Sequence, residues 1–536
     1  MRNVFYLLSI ILLPCITALT YVWHDFIFIF LIFWGLFVIG MYNIFQKRRT
    51  ILRNFPLLAY FRYFAELIRP EVYQYFIESN ENGKPISRED RSVVYQRAKK
   101  TLDTLPWGTK KDIYANDYQW LAHSLRAKTL DNHDLRIIIG NEQCEQPYNA
   151  SILNISAMSF GALSQEAVMA MNWGAKIGNF MQNTGEGGVT EYHFKHGGDL
   201  TWQIGTAYFG TRTIDGNFDP NIFKEKSRHP SIKMIEIKLS QGAKPGHGGI
   251  LPADKLTEEI AAIRGVPLGQ DVLSPPAHSA FSTPIELLEY IQLLRNLSGG
   301  KPIGFKLCLG MRSDFFAICK AMLKTNIYTD FMTLDGGEGG TGAAPIEFSN
   351  FVGTPLNYAI PFVYSTLVGL NLKKHIKIIA SGKITTAFDV VSKIALGADL
   401  CNSARGMMLA TGCIMSLQCN NNKCPTGVTS QNPKYRYGLV VKEKYMKVTN
   451  YHIGTMKTVA ELIGAAGLDS TEELTPHHIH YRMNEVNHTT YDEHHYYFKP
   501  GELLELDKSD LIPKNCPSSV TSLLKLWKES MAERFI

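Results

Sequence analysis

Three cysteines, Cys413, Cys419 and Cys424, fall in the run CIMSLQCNNNKC, which is followed by Pro425-Thr426-Gly427. Their spacing is C-x5-C-x4-C, on a segment of Asn and Lys rather than in an apolar element. Thiolates are soft ligands that suit zinc or iron–sulfur centres. Structural zinc normally takes four ligands in paired C-x2-4-C form, and no fourth Cys or His lies nearby. Three thiols fit an iron–sulfur cluster with three protein ligands, such as [3Fe-4S], whose potential would depend on hydrogen bonds to sulfur and on exposure. The spacing alone leaves zinc and unligated thiols open. Six further cysteines stand at 15, 144, 308, 319, 401 and 516, mostly in apolar or Gly-rich surroundings. An odd count in a large chain argues against a disulfide framework and for a reducing compartment.

A second set of chemistry-bearing residues follows short apolar runs. These are Ser159, the block Asn183-Thr184-Gly185-Glu186-Gly187-Gly188, Lys306, Asp335-Gly336-Gly337, Ser381-Gly382-Lys383 and Ala404-Arg405-Gly406. Glycine at such points lets backbone N–H groups approach a ligand, and the last two blocks each bring a cation. Tight turns alone would explain any one of these glycines, but not six turns on one rim. Gly337-Glu338-Gly339-Gly340-Thr341-Gly342 also satisfies the dinucleotide fingerprint. Ala343-Ala344-Pro345 follows it, however, so no continuous helix opens where a pyrophosphate would need one, and the segment reads as a flavin- or substrate-facing loop.

The elements that must position these residues alternate. The strand-like runs are ILNISAM, FMQNTG, WQIGTAYFG, MIEIKLS, IGFKLCLG, FMTLDGG, IKIIASG and ADLCNSARG. Between them lie helix-period segments, most of which open on a cap or Pro signal: LSQEAVMAMNWGAKIG, ADKLTEEIAAIRG, TPIELLEYIQLLRNLSG, SDFFAICKAMLKTN and TTAFDVVSKIALG. Strands alternating with helices imply parallel βαβ units. Eight runs favour a closed (β/α)8 TIM-type barrel over a doubly wound sheet, with the chemistry at the mouth where the strands end.

Before the barrel, residues 5–22 and 26–41 form two apolar stretches, each near the ~20 residues that span a bilayer. A signal peptide followed by a core helix is the alternative. Gln46-Lys47-Arg48-Arg49 and Arg53 follow at once, which sets that end on the cytoplasmic side. The expected organisation is a transmembrane hairpin over 1–45, a helical lead-in over 46–130, the barrel with its cysteine loop over 131–465 and a C-terminal extension over 466–536. The catalytic domain is then expected in the cytosol, held at the inner (cytoplasmic) membrane. The chain is 45% hydrophobic and 19% charged with a net charge of +6, and its dispersed basic residues form no stripe suited to nucleic acid. Residues 476–497 hold six of the 16 histidines; a metal site is conceivable there, but solvated or packed histidines are the plainer reading.

SAMSFGALSQEA, NTGEGG, QGAKPG-x-GG-x-LP, LDGGEGGTGAAP and GCIMSLQCNNNKCPTGVTSQ, in this order, resemble the FMN-binding synthase domain of the glutamate synthase family over roughly residues 130 to 465. With the lead-in SVVYQRAKKTLDTLPWG, the chain resembles the stand-alone members most. No glutamine amidotransferase, long β-helix or FAD/NADPH-binding segment is recognisable in these residues.

The resemblance implies FMN, a [3Fe-4S] cluster on the three cysteines, and reduction of the imine of 2-oxoglutarate and ammonia to L-glutamate. Ammonia or a separate glutaminase, and a separate electron-donor protein, would supply the rest. By the same resemblance, Ser156, Ala157, Met158, Ser159, Asn183, Thr184, Asp335, Gly336, Gly337, Gly339, Gly340 and Ala404 would line the flavin. Ser381, Gly382, Lys383, Arg405 and Gly406 would hold its phosphate. Lys306 would stabilise the reduced flavin, and Glu186, Gln241 and Lys244 would serve substrate or flavin. The chain departs from the family at two places. Pro245-Gly246-His247-Gly248-Gly249 stands for PGEGG, and Ser274-Pro275-Pro276-Ala277-His278-Ser279-Ala280 stands for SPPPHHD. These changes leave open a related 2-oxo acid or amine as substrate, and a non-catalytic membrane electron-transfer subunit is a third reading.

Overall fold

Eight short strands, each buried on both faces, run parallel and close on themselves in the computed structural model, which describes residues 1–508 and 518–535. Cys516 lies outside the described residues. The strands are β1 (Leu153–Ile155), β2 (Met181–Asn183), β3 (Asp199–Ile204), β4 (Ile232–Lys238), β5 (Ile303–Leu307), β6 (Phe331–Asp335), β7 (Lys377–Ser381) and β8 (Leu400–Ser403). Each pairs with its sequence neighbours, and Cys401↔Leu153 through Ser403↔Ile155 closes the ring. The expected (β/α)8 barrel is therefore the fold. Strands covered on both faces read as unbroken apolar runs, which is why they were legible.

The chain divides into two compact units, Met1–Arg88 and Glu89–Ile536. In the first, α1 (Arg2–Val22) and α2 (Ile27–Phe45) are long and apolar enough to cross a membrane, and α3 (Ala59–Val72) follows. In the second, α4 (Gln165–Gly178) opens on Ser164, whose hydroxyl accepts from Ala167 N–H. Thr257 caps α5 (Glu258–Arg264). Thr283 and Glu286 form a capping box on α6 (Pro284–Ser298), as Thr386 and Asp389 do on α7 (Ala387–Ala395). Each cap satisfies donors that the first helical turn leaves orphaned. α8 (Arg405–Thr411) follows β8, and α9 (Val441–Ala465) packs on α4 and α7.

One difference from the sequence reading stands out, and one expectation is met. The end of the expected helical lead-in is a strand, Gln119–Leu121, paired antiparallel with Ile479–Arg482, which pairs in turn with His488–Thr490. The histidine-rich segment thus builds a small sheet, with His480 stacked on Trp120 at 5.1 Å. After β6, residues 336–345 form turns, and the next helix begins only at Ile346, behind Pro345. The fingerprint-like glycines accordingly sit in a loop.

Candidate active site at the barrel mouth

The barrel interior below the mouth carries a hydrogen-bonded polar layer. Glu236 on β4, buried, accepts from Asn183 Nδ2 at 2.8 Å, Gln203 Nε2 at 2.6 Å and Thr333 Oγ1 at 2.6 Å. A carboxylate so enclosed needs such donors to offset its lost hydration. Thr184 is likewise engaged within the barrel: its hydroxyl donates to Gly185 O and accepts from Gln203 N–H. Asn183 and Thr184, expected beside the flavin, thus have their side chains committed to the barrel wall.

Above this layer a chain of contacts crosses the rim. Lys306 Nζ lies 3.3 Å from Asp335 Oδ2. Asp335 also accepts from Ser381 Oγ at 2.9 Å and from Gly242 N–H at 2.8 Å, while Ser381 Oγ meets Ser156 Oγ at 3.2 Å. Four strand ends and the loop after β4 are fastened together in this way. A Cβ on Gly242 would fall 1.7 Å from Gly336 O, so only glycine permits that approach. Burial alone would lower the Lys306 pKa; Asp335, Glu236 and Glu186 outweigh it and raise the pKa, so the ammonium persists.

A second cluster holds the substrate candidates. Lys238, ending β4, pairs with Glu186 at 2.9 Å. Burial acts to raise the Glu186 pKa, but Lys238, Arg264 and Lys244 prevail and hold its carboxyl ionised. Lys244 Nζ donates to Ala343 O at 2.8 Å, and burial, opposed by Glu186 and reinforced by Lys238, lowers it to about 8. Arg264 donates to Phe160 O at 3.0 Å and lies 5.0 Å from the Phe209 ring; burial, against Glu186, lowers it to about 10. Three buried cations therefore gather around one carboxylate. On the same loop as Lys244, the Gln241 amide nitrogen is buried with no partner among the described residues.

His278, in the altered 274–280 loop, lies between Tyr208 OH at 3.0 Å and Lys238 O at 2.9 Å. Burial lowers it to about 4, so the ring is neutral. It must then donate from Nε2 to the carbonyl and accept from the tyrosine. His247 instead turns to Gly248 O and packs edge-on against Phe348 at 5.2 Å.

The other expected flavin contacts stay on the rim. Ala157, Met158 and Ser159 follow β1 and are partly exposed, and Gly336, Gly337, Gly339 and Gly340 follow β6. Beyond β7, Gly382 and Lys383 both have positive φ, and Lys383 is exposed. Beyond β8, Ala404 precedes α8, and Arg405 Nη2 donates to Glu338 O at 2.7 Å. Gly406 is glycine for packing: a Cβ there would meet Ser403 Oγ and Tyr451 OH, each at 2.5 Å.

The cysteine loop follows α8. Met415 and Leu417 have φ of +57°, a left-handed backbone that such side chains adopt only when their surroundings enforce it. Met415 N–H donates to Cys413 Sγ at 3.3 Å, and Thr426 Oγ1 lies 3.5 Å from Cys424 Sγ. Burial pushes Cys413 up to about 12 and raises Cys419, whereas donors on Thr429 and Thr426 overcome burial and lower Cys424. Lys255, buried, joins the loop to the barrel by donating to Cys419 O at 3.3 Å and Ala162 O at 2.8 Å. Among the described residues no three His, Cys, Asp or Glu side chains could close on one metal ion. A mononuclear zinc site, with Zn–S near ~2.3 Å, needs its ligands that close together. Donors aimed at sulfur are the surroundings that cluster thiolates take.

Lys238, Arg264, Lys255 and His278 received no role from the sequence. Lys238 carried the signal that revealed Lys306, a cation closing an apolar strand. Arg264 looked like an ordinary last-turn cation, since lysine and arginine favour helix C-termini.

Residues 94–469 match the family described as a conserved region in glutamate synthase. The chain is 36% identical over 480 residues to a glutamate synthase large subunit-like protein, YerD, of Bacillus subtilis, covering 82% of this chain and 91% of that one. It is 35% identical over 326 residues to an archaeal glutamate synthase [NADPH] of Methanocaldococcus jannaschii, spanning 60% of each. Among solved structures it is similar, at a TM-score of 0.41 and 14% identity, to a flavocytochrome b2 mutant with pyruvate bound, over 79% of this chain and 85% of that one.

Proposed function

Since the chain belongs to the glutamate synthase family, we propose that its barrel mouth carries out reductive amination of 2-oxoglutarate to L-glutamate, as an oxidoreductase of the CH–NH2 class. One observation carries this reading: Lys238, Lys244 and Arg264 are buried together around the single carboxylate of Glu186. Buried charge is costly unless paired, so this excess of cations calls for an anionic ligand. A dicarboxylate supplies it. The overall change is 2-oxoglutarate, ammonium, two electrons and two protons giving glutamate and water.

FMN, when bound, would supply hydride at the substrate carbon, and an iron–sulfur cluster on Cys413, Cys419 and Cys424 would supply single electrons. The rim fits the flavin: Lys306 would face its reduced, anionic form, and Lys383 with Arg405 would meet its phosphate. Ser156, Ser381 and Asp335 keep Lys306 in place, and the Gln241 amide nitrogen, with no partner among the described residues, would donate to one further acceptor. Glu186 stays ionised and orients Lys238, while the neutral His278 holds the Lys238 backbone. Lys244, at about 8, is the group that can release or take up a proton at Nζ near neutral pH. Electrons would come from a separate donor protein, and ammonia from solution or a separate glutaminase. α1 and α2 would anchor the protein in the inner membrane with the barrel in the cytosol.

Incubating reduced enzyme with 2-oxoglutarate and 15N-ammonium tests the activity. 15N-glutamate is the expected product, and its absence would refute the assignment. His247 favours a second reading, in which another 2-oxo acid is taken, because this side chain replaces a carboxylate in a loop bordering the cation cluster. A panel of 2-oxo acids would then yield a different amino acid. Reduced enzyme that no small molecule reoxidises would point instead to an electron-transfer subunit.

A further inference from the structure

The first unit leaves one apolar face uncovered. Along the first three turns of α3, Tyr60, Phe61, Phe64, Leu67 and Ile68 recur with helical period up to Glu71, which ends the stripe, while Arg62, Glu66 and Arg69 fall on the other side. Phe61, Phe64 and Leu67 are 73%, 59% and 73% exposed, and the turn that continues the helix adds exposed Phe76 and Ile77. Arg62 and Glu66 pair at 2.9 Å along the polar side.

This helix is tied to the end of α2. Asn43, buried in the last turn of α2, donates Nδ2 to Pro56 O at 2.7 Å and to Tyr60 OH at 3.1 Å. The Arg49 guanidinium lies 5.2 Å from the Tyr63 ring, and Arg53 Nε donates to Ile44 O at 3.2 Å. The level at which the second apolar span ends is thus the level at which α3 starts. Lys47, Arg48, Arg49 and Arg53 collect at that same level.

We propose that α3 and the turn Tyr73–Ile77 lie in the headgroup layer of an anionic bilayer, aromatic face toward the acyl chains. Three observations favour lipid over a protein partner. Tyr at a span's end suits the polar–apolar boundary, and Phe and Leu suit the buried face of a helix lying in that plane. The cations beside them match an anionic leaflet. The hydrogen bonds from Asn43 leave the helix at the depth where an interfacial helix rests. The inference depends on the anchoring reading of α1 and α2.

The test uses full-length protein in phosphatidylglycerol-containing vesicles, with photoreactive benzoylphenylalanine replacing Phe61, Phe64, Arg62, Glu66 or Ile32 one at a time. After illumination, mass spectrometry reads adducts to lipid or protein. Lipid adducts at 61 and 64 several-fold above those at 62 and 66 are expected, together with adducts at 32. Equal yields at all four α3 positions, or crosslinks from 61 and 64 to a second copy, would overturn the proposal. Adducts at 32 with none at 61 and 64 would remove the interfacial helix but keep the anchor; none at 32 would remove the anchor itself.

Discussion

Lys238 Nζ and Glu186 Oε1 meet at 2.9 Å in the wall of the barrel mouth, with side-chain exposures of 9% and 17%. The pair joins the end of β4 to the loop after β2. Removing one partner of such a pair strands the other charge, at a cost of about 3–5 kcal/mol when burial is complete. Glu186→Gln should therefore lower the unfolding free energy by about 2–3 kcal/mol, read as a fall in the denaturant midpoint with the m-value unchanged. A change within about 0.5 kcal/mol would mean that the pair is solvated.

Lys244 binds an anion only while protonated, and burial has lowered it to about 8. The charged form prevails below that pH and disappears above it. kcat/KM for the 2-oxo acid should hold up to pH 8 and then fall about tenfold per unit in the limit, since this ratio reports free-enzyme ionisations. Lys244→Arg should shift the descending limb upward, because arginine stays charged. A limb left in place would assign it to another group.

Gly242→Ala should cost flavin and stability together. Its new Cβ would force apart the loop after β4 and Gly336 O, and with them the Asp335 contact that steadies Lys306. A loss of FMN occupancy beyond that of Ser381→Ala, read from the absorbance ratio of the purified variants, is the expected result.

Cys419→Ser should abolish the cluster signal in electron paramagnetic resonance while leaving flavin absorption intact. A retained signal would overturn the ligand assignment. Lys255→Met should keep the cysteines but loosen the loop, since Lys255 ties Cys419 O to Ala162 O; faster cluster loss under air is the expected outcome.

Why some of this was legible and some was not follows from where each residue lies. All eight barrel strands stood out because burial on both faces demands continuous apolar runs between turn residues. β3 and β4 start earlier than their runs, at Asp199 and Ile232, where strand entries tolerate polar neighbours. Lys306, Asp335 and Ser381 were found as strand-terminal polar residues. Lys255 and Arg264 come from a short turn and a helix end, and only packing carries them to the cysteine loop and to Glu186. The pairing of Gln119–Leu121 with Ile479–Arg482 joins segments separated by most of the chain, so local periodicity carried no trace of it.

The cation cluster around Glu186 is the centre of the proposed chemistry, and stopped-flow reoxidation of the photoreduced enzyme probes it most directly. 2-Oxoglutarate together with ammonium should reoxidise the flavin and either alone should not, with Arg264→Ala slowing the reaction at least tenfold, the equivalent of about 1.4 kcal/mol. Reoxidation that ignores 2-oxoglutarate, or that is unchanged in Arg264→Ala, would contradict the assignment.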